Sequence, residues 1–186
     1  TINGGADLAA WLLWRFPEYR LAYGPLHGDL WGNVILSRFD LQGTGAVRFP
    51  IRARRMQRGL TWATVPAEGE NILIINAHLA HGAVEEERFA QAGDLLEFLR
   101  GRHPAIILGD FNAGPGSPPI ARLREGGLSD ALAPHGLAAA FTYPSLRPSE
   151  RRDYIFITGN LASTSAGIPR ATASDHLPVI ATIHVR

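Results

Sequence analysis

The sequence predicts an α+β fold built from layers of strands and helices. Three observations predict this class: a hairpin signal at residues 60–78, an amphipathic helix at 84–100, and short apolar strands in an irregular order after it. In a doubly wound parallel sheet, strands would instead alternate regularly with helices. An α+β layered domain is therefore the expected architecture.

The N-terminal third predicts one helix and three strands. Asp7 can cap a short helix whose apolar side chains share one face, and Pro17 ends it. Apolar runs predict strands over residues 19–23 and 34–37. Residues 48–54 alternate between Arg and other side chains, which predicts a half-exposed strand.

The middle of the chain carries the clearest signals. Two strands, over residues 60–66 and 72–78, are separated by a hairpin-length loop that contains Gly and Asn. The helix at 84–100 begins with three glutamates, whose charge suits the helix dipole, and apolar residues follow at three- and four-residue spacing. Gly101 ends this helix.

The remaining elements are short. Residues 105–108 form an apolar strand, a helix starts over 120–123, and strands follow at 154–158 and 177–184. No repeat, linker or low-complexity tract interrupts the sequence, so residues 1–186 are expected to form a single domain.

Composition excludes some functions. The chain has 186 residues, 46% of them hydrophobic, and no cysteine, which excludes disulfides, thiolate catalysis and Cys-ligated metals. The net charge of +1 argues against a domain that binds nucleic acid mainly by charge, but it permits a nuclease with a local basic groove. No feature indicates a cellular location.

Four short polar segments stand at the ends of predicted strands. They are Asn-Ala-His-Leu at 76–79, Gly-Asp-Phe-Asn at 109–112, Asp-Tyr-Ile-Phe at 153–156 and Ser-Asp-His-Leu-Pro-Val at 174–179. Asp and Asn oxygens suit Mg²⁺ or Mn²⁺, and imidazole can position or protonate an oxyanion. A lone Asp after a strand is more often a turn former, but four such segments together predict a metal and phosphate site.

These segments resemble the signature motifs of the endonuclease/exonuclease/phosphatase superfamily, whose members are deoxyribonuclease-I-like. Gly-Asn-Val-Ile-Leu-Ser-Arg at 32–38 and Thr-Tyr-Pro at 142–144 add to the resemblance. It implies a four-layer α/β/β/α sandwich of two mostly antiparallel sheets with outer helices. It also implies a metal-dependent hydrolase of phosphodiester or phosphomonoester bonds.

The resemblance implies five catalytic residues. Asp110 would orient or deprotonate the attacking water, and Asn112 would hold the phosphate or a metal ion. His78 and His176 would contact the phosphoryl group from two sides, and Asp153 would orient His176. In general terms, phosphoryl transfer needs fixed positive charge, which a metal ion and imidazolium groups supply.

The resemblance also implies a metal site and further substrate contacts. Mg²⁺ or Mn²⁺ would be held by Asp175 together with Asp110 and Asn112. The phosphate-binding network would include Asn76 and Asn33, with Asn112 shared between the two groups.

One departure separates this sequence from the family pattern. The family begins with a strand that ends in Asn and a second that ends in Gln-Glu, whose Glu is the principal metal ligand. Here Thr1 leads almost directly into the first helix, and Glu18, the only glutamate before the segment at 32–38, lies in the wrong place. We therefore expect a domain that is incomplete at its N-terminus and lacks the first strands. An inactive remnant that binds a partner or an anionic ligand is the alternative function.

Substrate and partners are less determined than the reaction. Nucleic acid, a lipid head group and a small phosphodiester all fit, and the near-neutral charge favours the last two over duplex DNA. No obligate protein partner is evident. A basic cluster has two interpretations, a solvated surface or a contact to substrate phosphate; its members are Arg48, Arg52, Arg54, Arg55 and Arg58.

Overall fold

The computed structural model describes residues 2–3, 6–28, 30–52 and 56–186. Its strands are β1 (Ile2–Asn3), β2 (Ala6–Asp7), β3 (Arg20–His27), β4 (Trp31–Ser37), β5 (Thr44–Arg48), β6 (Gly59–Ala67), β7 (Glu70–His78), β8 (Ala105–Asp110), β9 (Ser129–Asp130), β10 (Asp153–Ile157), β11 (Leu161–Gly167) and β12 (Ile180–Val185). Its helices are α1 (Leu8–Arg15), α2 (Glu85–Leu99) and α3 (Pro118–Glu125), with a 3₁₀ turn at Ala133–His135.

A six-stranded sheet forms the centre, in the order β5-β6-β7-β8-β10-β9. Only the β7–β8 pair is parallel, because α2 carries the chain back to the start of β8. Alternate side chains of the inner strands point to one face, where Ile75 and Ile107 meet Leu95 of α2 and Ile120 of α3. All four are fully buried.

The opposite face of this sheet is covered by two hairpins. Ile35 of β4 packs on Ala63 of β6, and Ile183 of β12 packs on Ile155 of β10. Helix α1 contacts β3 from outside, and Asp7 caps it by accepting a hydrogen bond from the Ala10 amide at 3.0 Å. The layers are thus helix, sheet, strands and helix, which confirms the predicted α/β/β/α arrangement.

The second layer consists of two hairpins. The hairpins β3–β4 and β11–β12 are separate two-stranded sheets, with no backbone ladder joining them in the described part of the chain. No helix among the described residues is long and apolar enough to span a bilayer.

Most predicted elements are confirmed, and one strand is wrong. The strand expected over 48–54 is absent over residues 49–52, and residues 53–55 lie outside the described part of the chain. The actual strand, β5, ends at Arg48, because Pro50 has no amide hydrogen with which to continue a ladder. Strand β11 was not predicted, since its small and polar residues give little hydrophobic signal.

Candidate active site

Three adjacent strands bring predicted site residues into one row. In the parallel β7–β8 pair, His78 lies opposite Asp110, and in the antiparallel β8–β10 pair, Asp153 lies opposite the same Asp110. Strands β7 and β8 end at this rim and β10 begins there. The sheet register therefore sets three polar side chains side by side.

The approach to Asp110 depends on a glycine. Gly109 has φ 140°, and a Cβ at this position would lie 1.9 Å from the carbonyl oxygen of Ala77. Only glycine tolerates both the conformation and the close approach. Beyond Gly109 the chain turns at Asn112, which has φ 48°, and the backbone N–H of Asn112 donates to Asp110 Oδ1 at 2.8 Å.

A loop brings His176 over this row. The loop is anchored by two backbone hydrogen bonds, from the Ser145 amide to the Asp175 carbonyl and from the Leu177 amide to the Thr142 carbonyl, each 2.7 Å long. His176 Nδ1 then lies 2.7 Å from Asp153 Oδ2, a hydrogen bond that orients the imidazole.

These side chains surround one cavity of about 420 Å³. Its lining comprises Arg58, His78, His81, Asp110, Asn112, Tyr143, Arg152, Asp153, Asp175 and His176. Six of the eight predicted site residues lie in this lining. Tyr143 and Arg152 were not predicted as site residues, although Tyr143 lies within the Thr-Tyr-Pro motif and Arg152 directly precedes the motif that begins at Asp153. Nothing in the sequence separated Arg58 from the other arginines of its cluster.

The two remaining predicted residues lie elsewhere. The Asn33 amide Nδ2 donates to the Asn76 carbonyl at 2.9 Å, and Asn76 Nδ2 donates to the Val34 carbonyl at 2.9 Å. These bonds join β4 to β7 across the two layers. Neither asparagine is among the described residues that line the cavity, so a substrate contact for them stays a prediction.

Burial shifts the pKa values of Asp110 and His78 in opposite directions. Asp110 Oδ2 is 3.4 Å from His78 Nε2 and 3.9 Å from His176 Nε2. Burial, reinforced by the charge of Asp153, raises the pKa of Asp110. Burial, and then the charge of Arg58, lowers the pKa of His78 to about 4. His78 is therefore a neutral imidazole at pH 7, where phosphate chemistry had suggested an imidazolium.

Two sets of side chains could hold a cation here. Ligand atoms of Asp110, Asp153 and His176 all lie within 4.8 Å of one another. The predicted set, Asp110 with Asn112 and Asp175, lines the same cavity. Asp110 belongs to both sets. In the first set, however, Asp153 and His176 already bind each other.

Sequence comparison agrees with this geometry. The model of the endonuclease/exonuclease/phosphatase family matches residues 3–176. The uncharacterized protein YbhP of Escherichia coli (strain K12) is 29% identical over 163 residues, which is 83% of this chain and 63% of YbhP. The chain thus spans less than two thirds of the length of this curated relative.

Solved structures share the fold. An endonuclease/exonuclease/phosphatase from Beutenbergia cavernae DSM 12333 superposes with a TM-score of 0.82 at 21% identity, covering 100% of this chain and 59% of its own. Mannosyl-6-phosphatase Bt3783 of Bacteroides thetaiotaomicron VPI-5482 superposes with a TM-score of 0.79 at 20% identity, covering 95% of this chain and 80% of the phosphatase. Since the family model matches nearly the whole chain, this protein belongs to the endonuclease/exonuclease/phosphatase family.

Proposed function

We propose that this protein hydrolyses a phosphodiester or phosphomonoester bond in the cavity around Asp110 and that it requires Mg²⁺ or Mn²⁺. One observation carries the proposal: three imidazoles, three carboxylates and a side-chain amide converge on a single cavity in a chain of this family. Phosphoryl transfer needs such a set, because the protein must position a water molecule and offset charge on the phosphoryl oxygens.

Asp110 orients the attacking water and takes its proton. Its pKa is raised by burial, and a carboxylate with a higher pKa is a stronger base. The backbone N–H of Asn112 donates a hydrogen bond to Oδ1 of this carboxylate at 2.8 Å. The other oxygen, Oδ2, faces the two histidines.

The histidines stabilise the phosphoryl group from two sides. His176 is held by Asp153 through Nδ1. When its ring is doubly protonated, Nε2 donates to a phosphoryl oxygen. His78 is neutral at pH 7, so it contributes one hydrogen bond and no charge. Fixed positive charge in the cleft therefore has to come from other groups.

The donor set suits a hard divalent cation. Carboxylate oxygens from Asp110 and Asp175 and the amide oxygen of Asn112 are the ligand types that Mg²⁺ and Mn²⁺ prefer, and all three residues line the cavity. A bound cation would supply positive charge beside the phosphoryl oxygens. The three side chains would hold it without disturbing the bond between Asp153 and His176.

A neighbouring groove offers room for the alcohol portion of a substrate. This groove of about 780 Å³ shares Asp175 with the cavity, and its lining includes Pro144, Leu146 and Arg147. Leu146 is 79% exposed. An apolar side chain beside a cation suits an ester whose alcohol has both apolar and anionic parts, which favours a small or lipid-like phosphodiester.

The test is hydrolysis of bis-p-nitrophenyl phosphate and of p-nitrophenyl phosphate with Mg²⁺, with Mn²⁺ and with EDTA. We expect EDTA-sensitive turnover of one or both esters. Asp110→Ala and His176→Ala should each lose at least about 100-fold in kcat/KM. Asp40→Ala is the matched control, since Asp40 is exposed and pairs with Arg20 away from the cavity.

The outcomes separate the alternatives. Wild-type rates in both Asp110→Ala and His176→Ala would show that the site assignment is wrong. Turnover that is absent under every metal condition, together with binding of phosphate esters, would favour the binding remnant over the hydrolase.

A further inference from the structure

Arg58 is a cationic side chain of the cavity that forms no ion pair with the described residues. The guanidinium of Arg58 lines the cavity with Asp110 and is partly buried. Within the described residues, no acceptor forms a hydrogen bond or ion pair with its side chain. A partly buried guanidinium without an acceptor is unfavourable, because it has lost water and gained no partner.

The other arginines near the cavity are bound to protein groups. Arg88 donates to the Ala80 carbonyl at 3.0 Å. Arg152 donates to Glu150 through Nε and Nη2, at 2.9 and 2.8 Å. Arg88 Nε has no acceptor among the described residues, but Arg88 is not one of the described residues that line the cavity. In Arg152, two of the three guanidinium nitrogens are engaged before a substrate arrives. Among the described residues, two arginines line the cavity, and Arg58 is the one whose guanidinium has no acceptor.

The backbone fixes where Arg58 begins. The next residue, Gly59, lies opposite His78 in the β6–β7 ladder, so Arg58 stands at the catalytic rim. Its carbonyl accepts from the Phe49 amide at 2.9 Å. A Cβ on Gly59 would lie 2.1 Å from the Val47 carbonyl oxygen, so β5 and β6 hold this point tightly.

The charge of Arg58 already acts on the row of site residues. Burial lowers the pKa of Arg58, while the charge of Asp110 opposes this effect. The same guanidinium contributes to the lowered pKa of His78. Arg58 therefore places a positive charge beside Asp110 and His78 in the cavity.

We propose that Arg58 is a substrate-binding residue, whose guanidinium donates hydrogen bonds to the non-bridging oxygens of the substrate's phosphoryl group. Arginine suits this role because its planar fork matches two oxygens of one phosphate. The assignment rests on the proposed function for its substrate, and it specifies which part of that substrate is recognised.

Binding of inorganic phosphate tests the assignment without hydrolysis. We would titrate phosphate into metal-free protein with EDTA present and follow binding by calorimetry. The comparison covers wild type, Arg58→Gln, Arg58→Lys and the control Arg52→Gln. Arg52 is already paired with Asp94 at 2.6 and 2.8 Å and does not line the cavity.

We expect Arg58→Gln to weaken phosphate binding by about 10- to 100-fold, as for loss of charge-assisted hydrogen bonds. Arg58→Lys keeps the charge without the fork and should weaken it less. Arg52→Gln should bind like wild type. Equal affinity in Arg58→Gln and wild type, or no phosphate binding by wild type, would overturn the assignment.

Kinetics with bis-p-nitrophenyl phosphate and with p-nitrophenyl phosphate, each in the presence of Mg²⁺ and of Mn²⁺, separate this result from the proposed function. If wild type shows no turnover but phosphate binding depends on Arg58, the hydrolase proposal fails and the binding assignment stands. If wild type is active and Arg58→Gln matches it in KM and kcat, the assignment of Arg58 fails alone. Thermal unfolding of each variant checks folding, and Arg58→Lys decides the matter if Arg58→Gln unfolds.

Discussion

Two groups of charged side chains in the central sheet contrast sharply. At the β9–β10 edge, Arg151 binds Asp130 through the two terminal guanidinium nitrogens, Nη1 and Nη2, at 2.7 and 2.9 Å. Arg151 also donates to the Ala138 carbonyl at 2.6 Å and lies 4.2 Å from the centre of the Tyr154 ring. Both charged side chains are almost completely buried.

The row at the catalytic rim is arranged differently. Asp110 has histidine nitrogens at 3.4 and 3.9 Å, but no guanidinium of the described residues binds it. Its pKa is raised, and the nearby Arg58 has no acceptor among the described residues. Asp110 and Arg58 thus line one cavity without the short ion pair that joins Asp130 to Arg151.

The difference shows how one sheet serves two purposes. A buried ion pair whose charges are matched by two short hydrogen bonds fixes the structure, even though Arg151 Nε has no acceptor among the described residues. A row whose charges are left incomplete costs stability, but it can bind a phosphate and hold a water molecule.

Removing Arg151 should give a large loss of stability. Arg151→Ala removes both short ion-pair bonds from the buried Asp130 and leaves only Arg124, whose Nη2 is 4.0 Å away, which costs about 3–5 kcal/mol in the free energy of unfolding. Urea denaturation measures this loss. The kcat of the molecules that remain folded should not change, since Arg151 lies outside the cavity. A loss below about 1 kcal/mol would remove the distinction between the two groups.

Asp153→Asn should affect activity more than stability. Asparagine cannot hold the His176 ring as a carboxylate does at 2.7 Å, so we expect kcat/KM to fall about 10- to 100-fold. The free energy of unfolding should change by about 1 kcal/mol or less. A variant with unchanged kcat/KM would show that this hydrogen bond does not support catalysis.

His78 should make stability depend on pH. Its folded-state pKa is about 4 against 6.5 for the free side chain, so the unfolded chain binds more protons between these values. Stability should therefore rise with pH across this window and fall on acidification. In His78→Asn this component is absent, and Tm should fall less between pH 6.5 and 4. Parallel Tm curves for both proteins would contradict the lowered pKa.

Arg52→Gln should have the smallest effect. Its pair with Asp94 is partly exposed, and such pairs contribute about 1 kcal/mol or less. We expect a change of that size in urea denaturation and unchanged kcat/KM. A clear loss of activity would assign substrate contact to the wider basic cluster and not to Arg58.

The sequence predicted which strand-end residues converge on the cavity better than it predicted the charge pairing. His78 and Asp110 were found because the strands before them have clear apolar patterns, and strand ends converge on one rim. The pair of Asp130 and Arg151 joins residues 21 positions apart, and no local pattern indicates it. Arg58 is one of 18 basic residues, all of them arginine. Only the fold shows which guanidinium of the described residues lines the cavity without an acceptor.

The most direct test is a matched pair of substitutions, Asp110→Asn and Asp130→Asn, measured for kcat/KM on bis-p-nitrophenyl phosphate and for unfolding in urea. We predict that Asp110→Asn loses at least about 100-fold in activity with stability unchanged or raised. Asp130→Asn should lose about 3–5 kcal/mol of stability and keep the activity of its folded fraction. An active Asp110→Asn, or an Asp130→Asn as stable as wild type, would contradict the division between an incomplete catalytic row and a satisfied structural pair.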